Sequence, residues 1–329
     1  MRVSVPTLDE IRAARTQLGD RVKTTPTTFW SSHVKNELLG DQTEVYLKLE
    51  LLQYAGSFKP RGALLVMDSL DKVALAQGVT AVSAGNHAIA VGYAAKACGT
   101  TAKVVMPKTA NPYRVEACRR QGTEVVLVDD VAKAFDEVER IRSEEGRFFV
   151  HPFEGPLTAL GTATVGLEMC EQAPDLDVVI VPIGGGGLAA GIGSAVKQML
   201  PNAKVIGVEP EGANSMSLSL KKGGPESIEA VNTIADSLGA PFALPYSFGL
   251  VQQTLDKVVT VTDNQMAQAM CLSFEELKLA VEPAAAAALA ALLGPLHDEC
   301  KGKRVGLVAC GSNIDLATWL SYTTSTTTA

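Results

Sequence analysis

Short valine-rich apolar runs alternate with longer helix-like stretches along most of this chain, and that alternation restricts its fold more than any other feature. The runs at residues 45–49, 79–82, 102–106, 124–128, 178–182, 204–208, 258–261 and 304–309 have the length and β-branched content of strands. Between them, residues 88–98, 113–121, 132–145, 188–199 and 264–277 carry helical patterns. Strand followed by helix, repeated, predicts an α/β protein whose open, mostly parallel sheets are covered by helices on both faces.

With 329 residues there is length for two units around a shared cleft. Residues 55–155 are expected to form a small unit, and residues 1–54 with 156–329 a larger one. The loops at the carboxyl ends of the strands should line the cleft between them. A net charge of -7 with no basic stretch argues against a nucleic-acid or anionic-membrane partner. Residues 283–293 are the most apolar long stretch and are too short to span a bilayer.

No apolar run follows the first arginine, so no signal peptide is expected, and a cytoplasmic protein is. The cysteines at 98, 118, 170, 271, 300 and 310 form no CxxC pair and should be reduced, mostly buried thiols. Four scattered histidines predict no metal cluster. Residues 322–329 are polar and featureless and are expected to fray.

Four segments carry chemistry. Gly56-Ser57-Phe58-Lys59-Pro60-Arg61-Gly62-Ala63 sets a lysine between glycines and a phenylalanine at a strand-to-helix corner. A turn with a solvated lysine has that composition too. So does a desolvated amine that forms an imine with an aldehyde, with Phe58 against the aldehyde's ring. Gly184-Gly185-Gly186-Gly187-Leu188 follows a strand and opens a helix, where backbone amides can converge on a phosphate. It is not the GxGxxG dinucleotide pattern. Ser83-Ala84-Gly85-Asn86-His87 repeats the arrangement, either as a helix cap or as a carboxylate site with Asn86 donating to a phenolic oxygen. Cys310, in Val308-Ala309-Cys310-Gly311-Ser312-Asn313, sits at another strand-to-helix switch, and Glu282 precedes the alanine-rich segment.

Taken together, these segments closely resemble the motif set of fold-type II pyridoxal-phosphate enzymes, in the branch of serine/threonine dehydratases and serine racemase. The resemblance runs from about Val22 to Leu320 and includes His151-Pro152-Phe153, Val208-Glu209-Pro210, Thr233-Ile234-Ala235-Asp236 and Val259-Thr260-Val261-Thr262. It implies the tryptophan synthase β-like fold and pyridoxal 5'-phosphate bound to Lys59, with Phe58 on the ring and Asn86 on the ring hydroxyl. Gly184, Gly185, Gly186, Gly187 and Leu188 would cradle the phosphate, and Glu282 would lie at the cofactor. Ser83, Ala84, Gly85, Asn86 and His87 would surround the substrate carboxylate.

Cys310 falls where the family places a serine or cysteine against the pyridine nitrogen. A thiol with an ordinary pKa of about 8.5 is a neutral donor and leaves the ring a weaker electron sink, which favours prompt loss of a β-leaving group. The expected reaction is α,β-elimination from a β-hydroxy-α-amino acid, yielding a 2-oxo acid and ammonia, with Lys59 as base. Racemisation and β-replacement are the alternative activities of the same fold.

Departures from the family pattern bear on the substrate. Similar racemases carry a second serine where this chain has Ala84, so two-base racemisation is disfavoured. Ile89 replaces a glutamine, Leu160-Gly161-Thr162-Ala163 replaces Ala-Gly-Gln-Gly, and Ala240 falls where racemases offer a hydroxyl. Fewer polar groups suit threonine or a bulkier substituent, as in phenylserine. Glu209, Ala213 and Ser215 match a cation site of relatives; with serine in place of aspartate they suit a monovalent ion or an empty loop. The chain leaves no length for the regulatory domain of biosynthetic threonine dehydratases, so feedback by isoleucine is not expected. Dimers are usual in this family, and a homodimer acting on a small amino acid is expected.

Overall fold

The computed structural model describes residues 3–129 and 131–324. In chain order its strands are β1 (Thr27–Phe29), β2 (Glu44–Lys48), β3 (Val79–Val82), β4 (Ala102–Pro107), β5 (Glu124–Val128), β6 (Phe148–Phe149), β7 (Val178–Pro182), β8 (Lys204–Pro210), β9 (Lys257–Val261) and β10 (Arg304–Val308). The larger sheet has the order β1–β2–β10–β7–β8–β9 and the smaller β5–β4–β3–β6. Every pairing is parallel except β1 with β2. The eight expected strands all form, within two residues of their expected bounds. Sequence periodicity missed β1 and β6, which are edge strands of three and two residues and too short to show a period.

Strand β7 is buried along its whole length, as a valine run covered on both faces should be. The helices Pro156–Gln172, Gly187–Met199, Leu8–Leu18 and Pro245–Thr254 pack together on one face of the larger sheet. On the other, the alanine-rich helix Pro283–Leu293 lies against β7, β8, β9 and β10 under the helix Asp263–Leu277. Its residues 283–292 are all buried, and their methyl side chains let the helix sit close on the strands. Among the described residues no helix is long and apolar enough to cross a membrane.

The smaller sheet has its own core. Val79, Ala81, Val104 and Met106 pack with Ala88, Val91 and Ala94 of the helix Asn86–Ala97 and with Leu64 and Met67 of the helix Pro60–Asp68. Ala14, Leu18 and Val22 join this cluster, so the N-terminal segment touches both sheets' cores. Tyr322 and Thr323 continue the helix Leu316–Thr323 instead of fraying, and Thr324 Oγ1 donates to the Leu320 carbonyl at 2.8 Å. The rest of the expected tail, residues 325–329, lies outside the described residues.

A buried ionic network fastens the start of the helix Pro60–Asp68 to the larger sheet. The Arg61 guanidinium, fully buried, donates to both Glu50 oxygens at 2.8 and 2.9 Å and to both Glu168 oxygens at 2.8 and 2.9 Å. Lys48 Nζ, also buried, donates to Glu168 at 2.8 Å and to the Thr25 carbonyl at 2.6 Å. Two cations face two carboxylates with fork geometry, which is what lets such charges leave water.

Candidate active site

The carboxyl ends of β3, β7 and β10 meet around a cavity of about 420 Å³ between the two sheets. Lys59 reaches it because residues 56–58 pair with the turn after β10. Phe58 N donates to the Cys310 carbonyl at 3.2 Å, Ser312 N donates to the Gly56 carbonyl at 2.9 Å, and Ser57 bridges Gly311. Pro60 then starts the helix, with Lys59 as its cap residue. Lys59 Nζ donates to the Pro152 carbonyl at 2.5 Å and lies 5.1 Å from the Phe58 ring centre. Burial pulls its pKa down to about 8, against the opposing pull of Cys310 and Glu282. This amine loses its proton far more readily than a solvated lysine.

Four helices begin at this cavity, at Pro60, Asn86, Gly187 and Pro283, and none has a side-chain cap. Helices farther out are capped by Thr7, Ser32, Asp71, Asn111, Thr262 and Asp315. Backbone donors and positive helix ends are therefore left open at the cavity. At the glycine loop, Gly186 has φ +95°, a conformation that disfavours side chains. A Cβ on Gly187 would stand 2.4 Å from the Phe153 carbonyl oxygen, and one on Gly185 2.2 Å from Phe153 Cγ. The backbone there approaches its neighbours as only glycine allows.

Asn86 is oriented by three partners. Its Nδ2 donates to Glu282 Oε1 at 2.5 Å and to Ser237 Oγ at 3.2 Å, while its Oδ1 accepts from Asn313 Nδ2 at 2.6 Å. Asn313 is itself pinned by the Ala55 carbonyl, which accepts from it at 2.8 Å. Glu282 is 1 % exposed, and its Oε2 has no hydrogen-bond partner; the Arg114 guanidinium stands 3.6 Å away. Burial raises its pKa, with Arg114 pulling the other way. Arg114 also donates to the Asn313 carbonyl at 2.7 Å and pairs with Asp236.

Burial pushes the Cys310 thiol well above its ordinary pKa, so it stays neutral. His87 shares a hydrogen bond with the Val150 carbonyl at 2.8 Å, and burial, then Lys59, lowers its pKa to about 3. His151 Nδ1 accepts from the backbone of Phe153 and Glu154 at 3.2 and 2.9 Å, which places the proton of the neutral ring on Nε2. Burial and Lys59 lower its pKa to about 4.

Segments 58–59, 83–87 and 184–188 line this one cavity with Glu282 and Cys310, so every cofactor and substrate position expected from the sequence converges. Ser83 Oγ accepts from Gly85 N at 3.1 Å, inside the turn before the helix. Of the positions expected to select the substrate, Ala84 and Ala240 line the cavity. Ile89 and Leu160 pack into the smaller core, because the helical turn after Asn86 and that after Pro156 point them away. Thr162 Oγ1 donates to the Gly187 carbonyl at 2.7 Å and so buttresses the glycine loop.

Glu209, Ala213 and Ser215 lie outside the cavity lining. Glu209 accepts from Met216 N, Ser217 N and Ser217 Oγ at 2.6–2.8 Å, capping the helix Ser215–Lys222, and burial raises its pKa to about 7. Among the described residues no group of three or more His, Cys, Asp or Glu side chains could hold a metal ion. Arg114, Asp236, Ser237 and Asn313 had no role in the sequence reading. Asp236 and Asn313 stood inside segments that carried the resemblance, whereas Arg114 sits on a helix whose pattern looks like that of a surface helix.

A nucleophilic lysine, an amide-rich glycine loop, a neutral thiol and a carboxamide on one cavity define a fold-type II pyridoxal-phosphate site. The residues present fit that cofactor: the uncapped helix end behind a loop of four glycines leaves backbone amides for a phosphate at the cavity. The chain belongs to the family described as "Pyridoxal-phosphate dependent enzyme", which matches residues 21–311, and is an ammonia-lyase of its serine/threonine dehydratase branch.

It is 52% identical over 319 residues to phenylserine dehydratase of Ralstonia pickettii, covering 97% of each chain. It is 39% identical to an L-threonine ammonia-lyase of Thermotoga maritima, over 94% of this chain and 76% of that one. The solved structure of maize serine racemase superposes with a TM-score of 0.89 at 33% identity, over 98% of this chain and 99% of the other.

Proposed function

We propose that this enzyme dehydrates a β-hydroxy-α-amino acid bearing an aryl group on the β-carbon, phenylserine above threonine or serine, and releases the 2-oxo acid and ammonia. The observation that carries the choice is the wall of the cavity that holds Lys59, which Ala84, Ala240 and the phenylalanines at 58, 135, 149, 153 and 242 line. The 52% identical phenylserine dehydratase supports the same choice.

When bound, pyridoxal phosphate supplies an aldehyde for the amino group and a conjugated ring that stabilises charge at the α-carbon. Lys59 would hold it, with Phe58 along the ring and Asn86 at the ring hydroxyl. The amides from Gly184 to Leu188 would take the phosphate, and Cys310 the ring nitrogen. Lys59 Nζ, with a pKa of about 8, takes the α-proton as a neutral amine. Ser83 and the amides opening the helix at Asn86 hold the substrate carboxylate, beside Gly85 and a neutral His87. Ala84 offers no acid to the opposite face, so a proton lost at the α-carbon is not returned there. The apolar walls exclude water from the α-carbon until the β-hydroxyl has left.

Residues 55–155 are proposed to close as a unit over residues 1–54 and 156–329, supported by their separate sheets. A cytoplasmic homodimer is part of the proposal, and six cysteines that form no disulfide among the described residues suit a reducing compartment. A monovalent cation at Glu209, Ala213 and Ser215 also belongs to it. The test is release of 2-oxo acid from serine, both threonine isomers, 3-hydroxyaspartate and phenylserine, each in potassium and in tetramethylammonium buffer. Phenylserine is expected to have the highest kcat/KM, and a higher value for serine sinks the aryl assignment.

A further inference from the structure

The helix Val131–Glu145 presents two adjacent stripes, and Ala134 and Val138 of the first also line the cavity that holds Lys59. Ala134, Val138 and Ile141, spaced i, i+4, i+7, are buried against Val105 and form its core face. Phe135, Glu139 and Arg142 repeat that spacing one residue later, and all three line the cavity that holds Lys59. Phe135 is 46% exposed on a helix otherwise rich in Lys, Asp, Glu and Arg. Nearly half of this apolar ring is left in contact with the open cavity, where burial would be favourable.

Farther along the same stripe, Arg142 donates to Glu139 at 2.8 Å and its guanidinium lies 6.0 Å from the Phe149 ring centre. That cation is already matched by a carboxylate and a ring face, so this end of the cavity has no unpaired charge to attract an acidic side chain. Phe153 and Phe242, also in the cavity lining, stand 6.2 Å apart, tilted by 51°.

We propose that Phe135 is a specificity-determining residue: its ring, in the same cavity lining as Phe149 and Phe242, receives the β-aryl group of the substrate. The assignment rests on the aryl preference argued above. Ring-on-ring contact adds to plain area burial, a gain that an alkyl substituent cannot recover. Phe135 then acts on the choice among substrates, and Lys59 on the bond that breaks.

The test uses the holoenzyme with L-phenylalanine and L-alanine, which lack the β-hydroxyl and cannot eliminate, and measures their dissociation constants by calorimetry. In Phe135→Ala the preference for phenylalanine over alanine is expected to fall about tenfold, and in Phe135→Leu by less. The ratio of kcat/KM for phenylserine to that for threonine should fall in the same order. Retained alanine binding reports an intact site, so a folding defect is recognised. A wild-type enzyme that prefers phenylserine, with both ratios unchanged in Phe135→Ala, overturns the role of Phe135 alone. A wild-type enzyme that does not prefer phenylserine overturns the aryl assignment as well, before any variant is made.

Discussion

Lys59 and Cys310 divide the work at the residue scale through one shared cause, removal from water. Burial favours the neutral form of each, so the lysine becomes a usable base and the thiol stays protonated. The rate at which apoprotein captures pyridoxal phosphate should therefore rise with pH to a midpoint of about 8. A midpoint near the ordinary lysine value of 10.5 would mean the amine is solvated. The folded pKa lies below the unfolded one, so between these values the unfolded chain binds more protons. The contribution of Lys59 to apoprotein stability accordingly increases with pH across that window. The buried thiols of Cys118, Cys170, Cys300 and Cys310, whose pKa values are raised, contribute the opposite slope above about 9.

Among the elements, the helix Pro60–Asp68 decides whether Lys59 is in place. Its first turn is held by Arg61, which bridges Glu50 and Glu168 in the core beneath the larger sheet. Replacing Arg61 by methionine leaves Glu168 with Lys48 and the partly exposed Arg15, and leaves the buried Glu50 without its guanidinium. That change is expected to cost about 3–5 kcal/mol in urea unfolding of the apoprotein. Arg61→Lys should recover only part, because an ammonium cannot span both carboxylates as the fork does. A loss under 1 kcal/mol in the methionine variant would show that the network is dispensable.

Across the whole molecule, polar bonds also span the cleft from the helix Pro112–Arg120. Asn111 Nδ2 donates to Asp315 at 2.5 Å and Thr318 at 3.1 Å, and Arg114 reaches Asn313 and Asp236. They tie that helix to residues 236 and 313–318. Asn111→Ala removes a hydrogen bond to a charged group, worth about 1.5 kcal/mol, and should raise KM roughly tenfold with a smaller change in kcat. An equal fall in kcat at unchanged KM would place Asn111 in the chemical step instead.

The fold class, eight of the strands and the chemistry-bearing segments were legible in the sequence because each is local. A valine run, a glycine loop before a helix and a lysine at a corner declare themselves within a few residues. What stayed illegible depends on partners distant in the chain. Arg114 looks like a surface residue until Glu282 and Asp236 close on it. Ile89 and Leu160 looked like substrate contacts until helical phase turned them into the core. Nothing in the local pattern of residues 132–145 singles out Phe135, which the packing of Val138 and Ile141 against Val105 places in the cavity lining. Residue type and spacing name the reaction, whereas helix phase and the meeting of two sheets choose the surface presented to the substrate's β-carbon. That surface is set by contacts between residues far apart in sequence, which no local pattern encodes.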